Sequence, residues 1–264
     1  MMHALRKCLF FYLLTCLGLH ALGSEIIHGE PVPEKMMPYM ASLQDQFGYH
    51  ICGGFLISED YVLTAAHCAH VSKRCLTSVV LGTHDLRKVD DATMRYGVKI
   101  CEHPSYKDFT TGDDIMLLKL SRKAQMSERL QKILLADPES KLKDNTLCRV
   151  AGWGAIVTNG GYVDKLLKVK VNVVNTNTCK EQWKMINFEL PAKVICAGGY
   201  QTKEGFCQGD SGGPLVCGGK AVGVVSFNCH CDYPQKPQVP NVYTDLSKYR
   251  SWIDKTIKQN SCKM

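Results

Sequence analysis

From Ile26 onward the apolar residues come in short runs instead of recurring at helical spacing. Tyr39–Leu43, Gly54–Ile57, Tyr61–Leu63, Ser78–Leu81, Ile115–Leu120, Lys168–Val174 and Ala221–Val225 are rich in Val, Leu, Ile and Tyr and are separated by turn-forming residues. Many short strands at this spacing predict an all-β fold, either a barrel or a sandwich. The polar, charged stretch 121–146 reads as a connector between two halves. Leu246, Tyr249, Ile253 and Ile257, with Trp252, do recur at helical spacing, which predicts one packing helix at about 246–259. No internal repeat or low-complexity tract interrupts the pattern.

The first 25 residues are of another kind. Arg6 and Lys7 precede the apolar run Cys8–Leu19, and Ala21-Leu22-Gly23 supplies small residues two apart. This is the pattern of a secretory signal peptide over residues 1–23, which is excluded from the fold. No later apolar run is long enough to span a membrane. With 264 residues, 45% of them hydrophobic, the chain can build one large or two small units around a substantial core.

Cysteine usage points to the same compartment. Of 14 cysteines, Cys8 and Cys16 lie in the leader, and the remaining twelve, an even number, predict a disulfide framework. Zinc is the rival use, but Cys229-His230-Cys231 is the only close pair and lacks partners at finger spacing. Beyond residue 25 there are thirty Lys and Arg against twenty-four Asp and Glu, a net charge of +6. Such a surface favours polyanions such as glycosaminoglycans or proteoglycans, or simply solubilises the protein. No nucleic-acid-reading module accompanies the charge.

Three local signals carry chemistry, in this order: Thr64-Ala-Ala-His67-Cys68, then Asp113-Asp114-Ile-Met-Leu-Leu118, then Gly209-Asp210-Ser211-Gly212-Gly213-Pro214. Together they resemble the trypsin/chymotrypsin-like serine peptidases, over essentially the whole chain from Ile26 to the terminal helix. The resemblance implies a chymotrypsin-like fold of two six-stranded antiparallel β-barrels, at approximately 26–125 and 126–245, with a C-terminal helix. It also implies hydrolysis of peptide bonds through an acyl-enzyme. A serine hydroxyl is a poor nucleophile until a base takes its proton. His67 would be that base for Ser211, and Asp114 would fix the histidine tautomer and stabilise the imidazolium. The apolar run begins directly after Asp114, so Asp114 is expected to point inward and Asp113 outward. The N–H groups of Gly209 and Ser211 would form the oxyanion hole.

Ile26-Ile-His-Gly29 is similar to the family's mature start, where the freed ammonium pairs with the carboxylate beside the nucleophile, here Asp210. The peptidase domain is then 26–264. Glu25 precedes the cut, so a trypsin-like activator, which needs Lys or Arg there, cannot make it. The dipeptide Ser24-Glu25 resembles the acidic propeptide of granzymes, mast-cell chymases and neutrophil granule proteases, which a dipeptidyl peptidase removes. Secretion, or storage in secretory or cytolytic granules, follows from the same likeness.

The family pattern also implies the disulfides Cys52–Cys68, Cys148–Cys217 and Cys179–Cys196. It joins Cys207 to Cys229 or Cys231, with Cys231 preferred. Cys75–Cys101 is expected across neighbouring strands, which leaves Cys262 and one pocket cysteine free or intermolecular.

In this family the residue six before the nucleophile forms the base of the primary specificity pocket, and here it is Gly205, not the Asp that selects Lys or Arg. Ser226-Phe227-Asn228 would pair with substrate backbone, with Asn228 where a Gly usually leaves the pocket open. Asn241 replaces another common Gly in the wall, Phe206 adds bulk beside the base, and Gln208 completes the lining. A narrowed, neutral pocket for small or medium uncharged side chains is expected. Thr83 follows Gly82 where a calcium-binding acid would stand, so neither metal nor cofactor is implied. The partners implied are protein or peptide substrates and serpin-type inhibitors. The competing reading is a catalytically weak or inactive homologue that binds polyanions, though the sequence keeps all three triad residues and Asp210.

Overall fold

The strand Leu167–Val174 (LKVKVNVV) displays the logic of the whole chain: Val169, Val171 and Val173 are buried while Lys170 and Asn172 are exposed. Period-two alternation of β-branched residues puts one face in a core and the other in water. The computed structural model describes residues 26–71, 75–157, 159–229, 231, 238–260 and 262. The leader, the dipeptide Ser24-Glu25 and His230 lie outside the described residues.

Six strands form the first barrel: β2 (Met40–Asp45), β3 (His50–Leu56), β4 (Tyr61–Thr64), β5 (Leu76–Leu81), β6 (Arg95–Glu102) and β7 (Met116–Leu120). They close in the order β2-β3-β4-β7-β6-β5, all antiparallel. The second barrel is built from β9 (Leu147–Gly152), β10 (Leu167–Val174), β11 (Val194–Ala197), β12 (Pro214–Cys217), β13 (Lys220–Phe227) and β14 (Val242–Asp245). Its ring runs β10-β11-β14-β13-β12-β9 and closes through the β9–β10 pairing. Two short strands are added outside it: β1 (Glu30–Pro31) on β10, and β8 (Leu134–Leu135), which lies within the connector and runs parallel to β13. Leu43, Phe55, Leu63 and Leu117 fill the first barrel; Val150, Leu215, Val225 and Tyr243 fill the second.

The barrels meet where side chains are absent. A Cβ on Gly53 of β3 would lie 3.2 Å from the Cα of Gly213. Gly212 (φ +80°) faces Thr64 Oγ1 and the Gly53 carbonyl so closely that a Cβ would reach 2.1 Å from the hydroxyl. Only glycine allows this approach, and it brings the loop before β12 against the first barrel.

Two α-helices lie among the described residues. α1 (Thr176–Met185) is capped by Asn175, whose side chain accepts from the Asn177 and Thr178 N–H groups. Its buried stripe is only Cys179 and Trp183, too sparse a pattern to show helical spacing in the sequence. The predicted C-terminal helix is broken in two. Leu246–Lys248 is a 3₁₀ turn, capped by the Asp245 carboxylate on the Ser247 N–H, and α2 (Arg250–Gln259) follows after a bend at Tyr249. Leu246, Tyr249 and Ile253 are buried in the first core cluster, as helical spacing predicts. Among the described residues no helix is long and apolar enough to cross a membrane.

The disulfides are Cys52–Cys68, Cys148–Cys217, Cys179–Cys196, Cys207–Cys231 and Cys101–Cys262. The last corrects the expectation of Cys75–Cys101. β5 pairs with β6 with Ser78 opposite Gly97, and extending that register sets Cys75 beside Ile100. Cys101 is one residue on, so its side chain leaves the opposite face. It therefore meets Cys262 beyond α2, while Cys75 and Cys229 stay exposed and unpaired.

Candidate active site

Three loops converge at the seam between the barrels. His67 lies on the 3₁₀ turn Ala66–Ala69, held on one side by the Cys52–Cys68 bond. Asp114 directly precedes the buried run Ile115–Leu118, as its apolar neighbours predict, and is itself 1% exposed. Ser211 sits in the glycine-rich turn before β12.

Asp114 grips the histidine twice. Its Oδ2 is 2.8 Å from His67 Nδ1, and its Oδ1 accepts the His67 backbone N–H at 2.9 Å. Ser226 of β13 donates to the same Oδ2, and Thr244 Oγ1 of β14 donates to the Asp114 carbonyl at 2.8 Å. Burial pushes the Asp114 carboxyl up, but the His67 charge and the bonds from His67 and Ser226 outweigh it and hold it below its usual range. The second barrel thus supplies one donor to the Asp114 carboxylate and one to its main-chain carbonyl. Asp113 does not face out freely, as sequence order suggested: it is half-buried, and its Oδ1 accepts from Lys193 Nζ and Tyr249 OH, both at 2.9 Å.

Ser211 and His67 flank the same disulfide. Cys68 Sγ lies 4.0 Å from His67 Nε2 and 3.7 Å from the Ser211 carbonyl oxygen, which accepts the Gly53 N–H at 2.8 Å. No hydrogen bond joins His67 Nε2 to Ser211 Oγ in this structure, a contact that commonly forms only with substrate bound. Gly209 has φ +92°, and a Cβ there would strike the Tyr162 ring at 2.8 Å.

One residue beside this turn was not legible as functional. His50, 6% exposed, bonds Ser42 Oγ at 2.8 Å through Nδ1 and the Gly209 carbonyl at 2.9 Å through Nε2. The carbonyl can only accept, so Nε2 carries the proton and Nδ1 accepts from the serine. Burial lowers the histidine to about 4, which keeps it neutral. It fixes the Gly209 peptide from behind. The sequence carried no signal for it: His50 lies outside the run Gly54–Ile57 read as a strand.

Ile26 is fully buried in the second-barrel core, and Ile27 packs with Ala155 and Cys207. Asp210 is buried beside them. Its Oδ1 accepts the Gly154 N–H at 2.8 Å and its Oδ2 the Cys207 N–H at 2.9 Å. The Ile26 nitrogen is still an amide joined to Glu25 in this chain, so no ammonium faces the carboxyl. Burial then pushes Asp210 up to about 7, against the two backbone bonds. Gly152 and Gly154 crowd the carboxyl so closely that a Cβ on either would overlap it.

The pocket residues separate. Gly205 is buried, and the Asn228 side chain donates to the Phe206 carbonyl at 2.9 Å, a strap between the two walls. Phe206 adds no bulk to the cavity: its ring is in the second core, edge-on to Tyr243. Ser226 likewise spends its hydroxyl on Asp114. Asn241 is 1% exposed and packs against Gly199. Gln208 is exposed, its side-chain oxygen 3.3 Å from Cys231 Sγ. Phe227 joins a row of rings, with Phe109, Trp183 and Phe188 at 5.4–5.6 Å, and Phe109 is edge-on to His67.

Comparison with known proteins follows the same lines. A family model described as Trypsin matches residues 26–253. Mast cell protease 3 of Ovis aries is 38% identical over 254 residues, covering 95% of this chain and 96% of its own. Granzyme B(G,H) of Mus musculus is 37% identical, covering 96% and 100% respectively. Chymase of Canis lupus familiaris is 37% identical, covering 98% and 99%.

Proposed function

We propose that this chain, which belongs to the trypsin family of serine peptidases, is a granzyme-like endopeptidase, secreted or stored in granules, that is switched on at Ile26 and accepts small or medium uncharged side chains. The single observation that carries the reading is the doubly bonded His67–Asp114 pair beside the glycine-rich turn that holds Ser211.

Ser211 Oγ attacks the scissile carbonyl as His67 Nε2 takes its proton; Asp114, fixed on Nδ1, holds the tautomer and stabilises the imidazolium. The N–H groups of Gly209 and Ser211 receive the oxyanion, a contribution of roughly 2.7–4 kcal/mol per donor. His67 then returns its proton to the leaving amine, and water releases the acyl group by the same steps in reverse. In the uncut chain Asp210 has no cationic partner among the described residues. Removal of Ser24-Glu25 by a dipeptidyl peptidase frees the Ile26 ammonium, which pairs with Asp210 and sets the oxyanion turn.

Specificity follows from what the pocket lacks. Gly205 offers no charge at its base, and an unpaired buried ammonium costs several kcal/mol, so Lys and Arg are excluded. Asn228 ties across to the Phe206 carbonyl beside the base, and large aromatic side chains must displace it. Serpin-type inhibitors and glycosaminoglycans are the further partners proposed, the latter for the +6 charge of the chain beyond residue 25.

The test is digestion of a diverse peptide library by protein beginning at Ile26, with cut sites read by mass spectrometry. Cleavage after small or medium uncharged residues is expected. Efficient cleavage after Lys or Arg overturns the reading of the pocket. No cleavage of any peptide favours the inactive homologue, a reading to which the Asn228 strap lends some support.

A further inference from the structure

Directly behind Asp114 lies a cluster that the triad does not use. Asp113 has a left-handed backbone (φ +52°), and the Ile115 N–H bonds back to its carbonyl at 2.8 Å. The chain therefore folds sharply around Asp114, in a conformation that the surroundings of a non-glycine residue must hold. Those surroundings come from elsewhere in the molecule. Lys193, just before β11, and Tyr249, just before α2, both donate to Asp113 Oδ1 at 2.9 Å. The Lys193 ammonium also lies 5.1 Å over the Tyr249 ring, and its carbonyl accepts the Asp245 N–H at 2.9 Å. On the other side of the bend, Thr244 holds the Asp114 carbonyl. Tyr249 itself is 2% exposed, and His103 packs edge-on against it and Trp252.

We propose that Asp113, Lys193 and Tyr249 form a clamp that positions Asp114 against His67, so that the second barrel and the C-terminal helix set the orientation of the histidine's partner. The proposal rests on the reading of Asp114 as that partner in catalysis. None of the three touches substrate; they are positioning residues. Stability alone gives little reason for the arrangement, because a partly exposed ion pair contributes little to folding. Position is worth more: a displacement of 1 Å at a catalytic group costs on the order of 100-fold in rate.

The groups facing Asp113 are Lys193, Tyr249 and His103, and Asp245 acts on Tyr249. Tyr249→Phe removes one hydroxyl and changes no charge, so it is the cleanest probe. Asp113→Ala removes the acceptor, and Asp113→Asn keeps it. Each variant is prepared from Ile26 onward, and its active sites are titrated before kcat and KM are measured. Tyr249→Phe and Asp113→Ala are expected to lower kcat about tenfold with KM unchanged. Asp113→Asn is expected to recover most of kcat. If Asp113→Ala does not fold, Tyr249→Phe still decides. Variants that lose only thermal stability, with the kcat of the unaltered enzyme, overturn the clamp. Failure of the triad reading is seen separately, as absence of Ser211 labelling in the unaltered enzyme, and it removes the clamp as well.

Discussion

Consider Asp210 in the chain that still carries Ser24-Glu25. Its carboxyl is buried with two backbone donors and, among the described residues, no cation, and burial raises it from 3.8 to about 7. A shift of about three pH units corresponds to roughly 4 kcal/mol between the protonated and ionised forms. The folded precursor keeps its proton up to about pH 7, whereas the unfolded chain releases it near 3.8. The contribution to stability is therefore complete below pH 3.8 and drains away as pH rises through 7. Asp210→Asn in the same precursor cannot titrate. One of its two backbone N–H contacts becomes donor to donor, but that cost does not vary with pH. Urea unfolding of both precursors, in a Ser211→Ala background to prevent self-cleavage, gives their stability difference at each pH. That difference is expected to change by about 4 kcal/mol between pH 4 and pH 8, to the disadvantage of the chain with Asp210 at high pH. In protein beginning at Ile26 the proposed pairing of the ammonium with the carboxylate should abolish the drain. Parallel curves for the Asp210 precursor and its Asp210→Asn variant, or the same drain in both forms of the amino terminus, would refute the reasoning.

His50 titrates with the opposite sign. Neutral in the fold and lowered to about 4, it adds stability above the usual histidine value of 6.5 that is lost as pH falls towards 4. His50→Gln should remove about 3 kcal/mol of that acid sensitivity, as read by denaturant unfolding between pH 4 and 7. Ser211→Ala and His67→Ala should each abolish turnover and leave the fold intact, and the double variant should be no slower than either, since the groups act as a unit; a double variant much slower than both contradicts this. Asn228→Gly removes the strap to the Phe206 carbonyl and should raise kcat/KM for Phe or Leu substrates about tenfold, the range of one apolar contact. Unchanged kinetics on such substrates would mean that the strap does not gate the pocket.

The strands were legible because alternation is local: segments such as Lys168–Val174 carry their own burial pattern, while closure into two barrels was implied by the family resemblance. The candidate triad was legible because each member sits in a short motif whose neighbours, such as the apolar run after Asp114, set its direction. What depends on distant partners was not. Cys101 meets Cys262 because of a one-residue phase between β5 and β6 and the path of α2. Phe206 turns into the core instead of the pocket because Tyr243 waits there. His50 reaches the Gly209 carbonyl across 159 positions, and nothing near either residue announces the contact. Asp113 looked like the outward neighbour of a buried acid until Lys193 and Tyr249 arrived from the other half of the chain.

The central claim is that Ser211 is a nucleophile made competent by the terminus at Ile26. A fluorophosphonate, which reacts with an activated serine hydroxyl, tests both parts at once. Protein beginning at Ser24 and protein beginning at Ile26 are treated side by side, and the adduct is located by peptide mass spectrometry. The expected result is one adduct on Ser211 in the chain that starts at Ile26 and none in the chain that keeps Ser24-Glu25. No adduct in the trimmed chain, or equal labelling of both, contradicts the account.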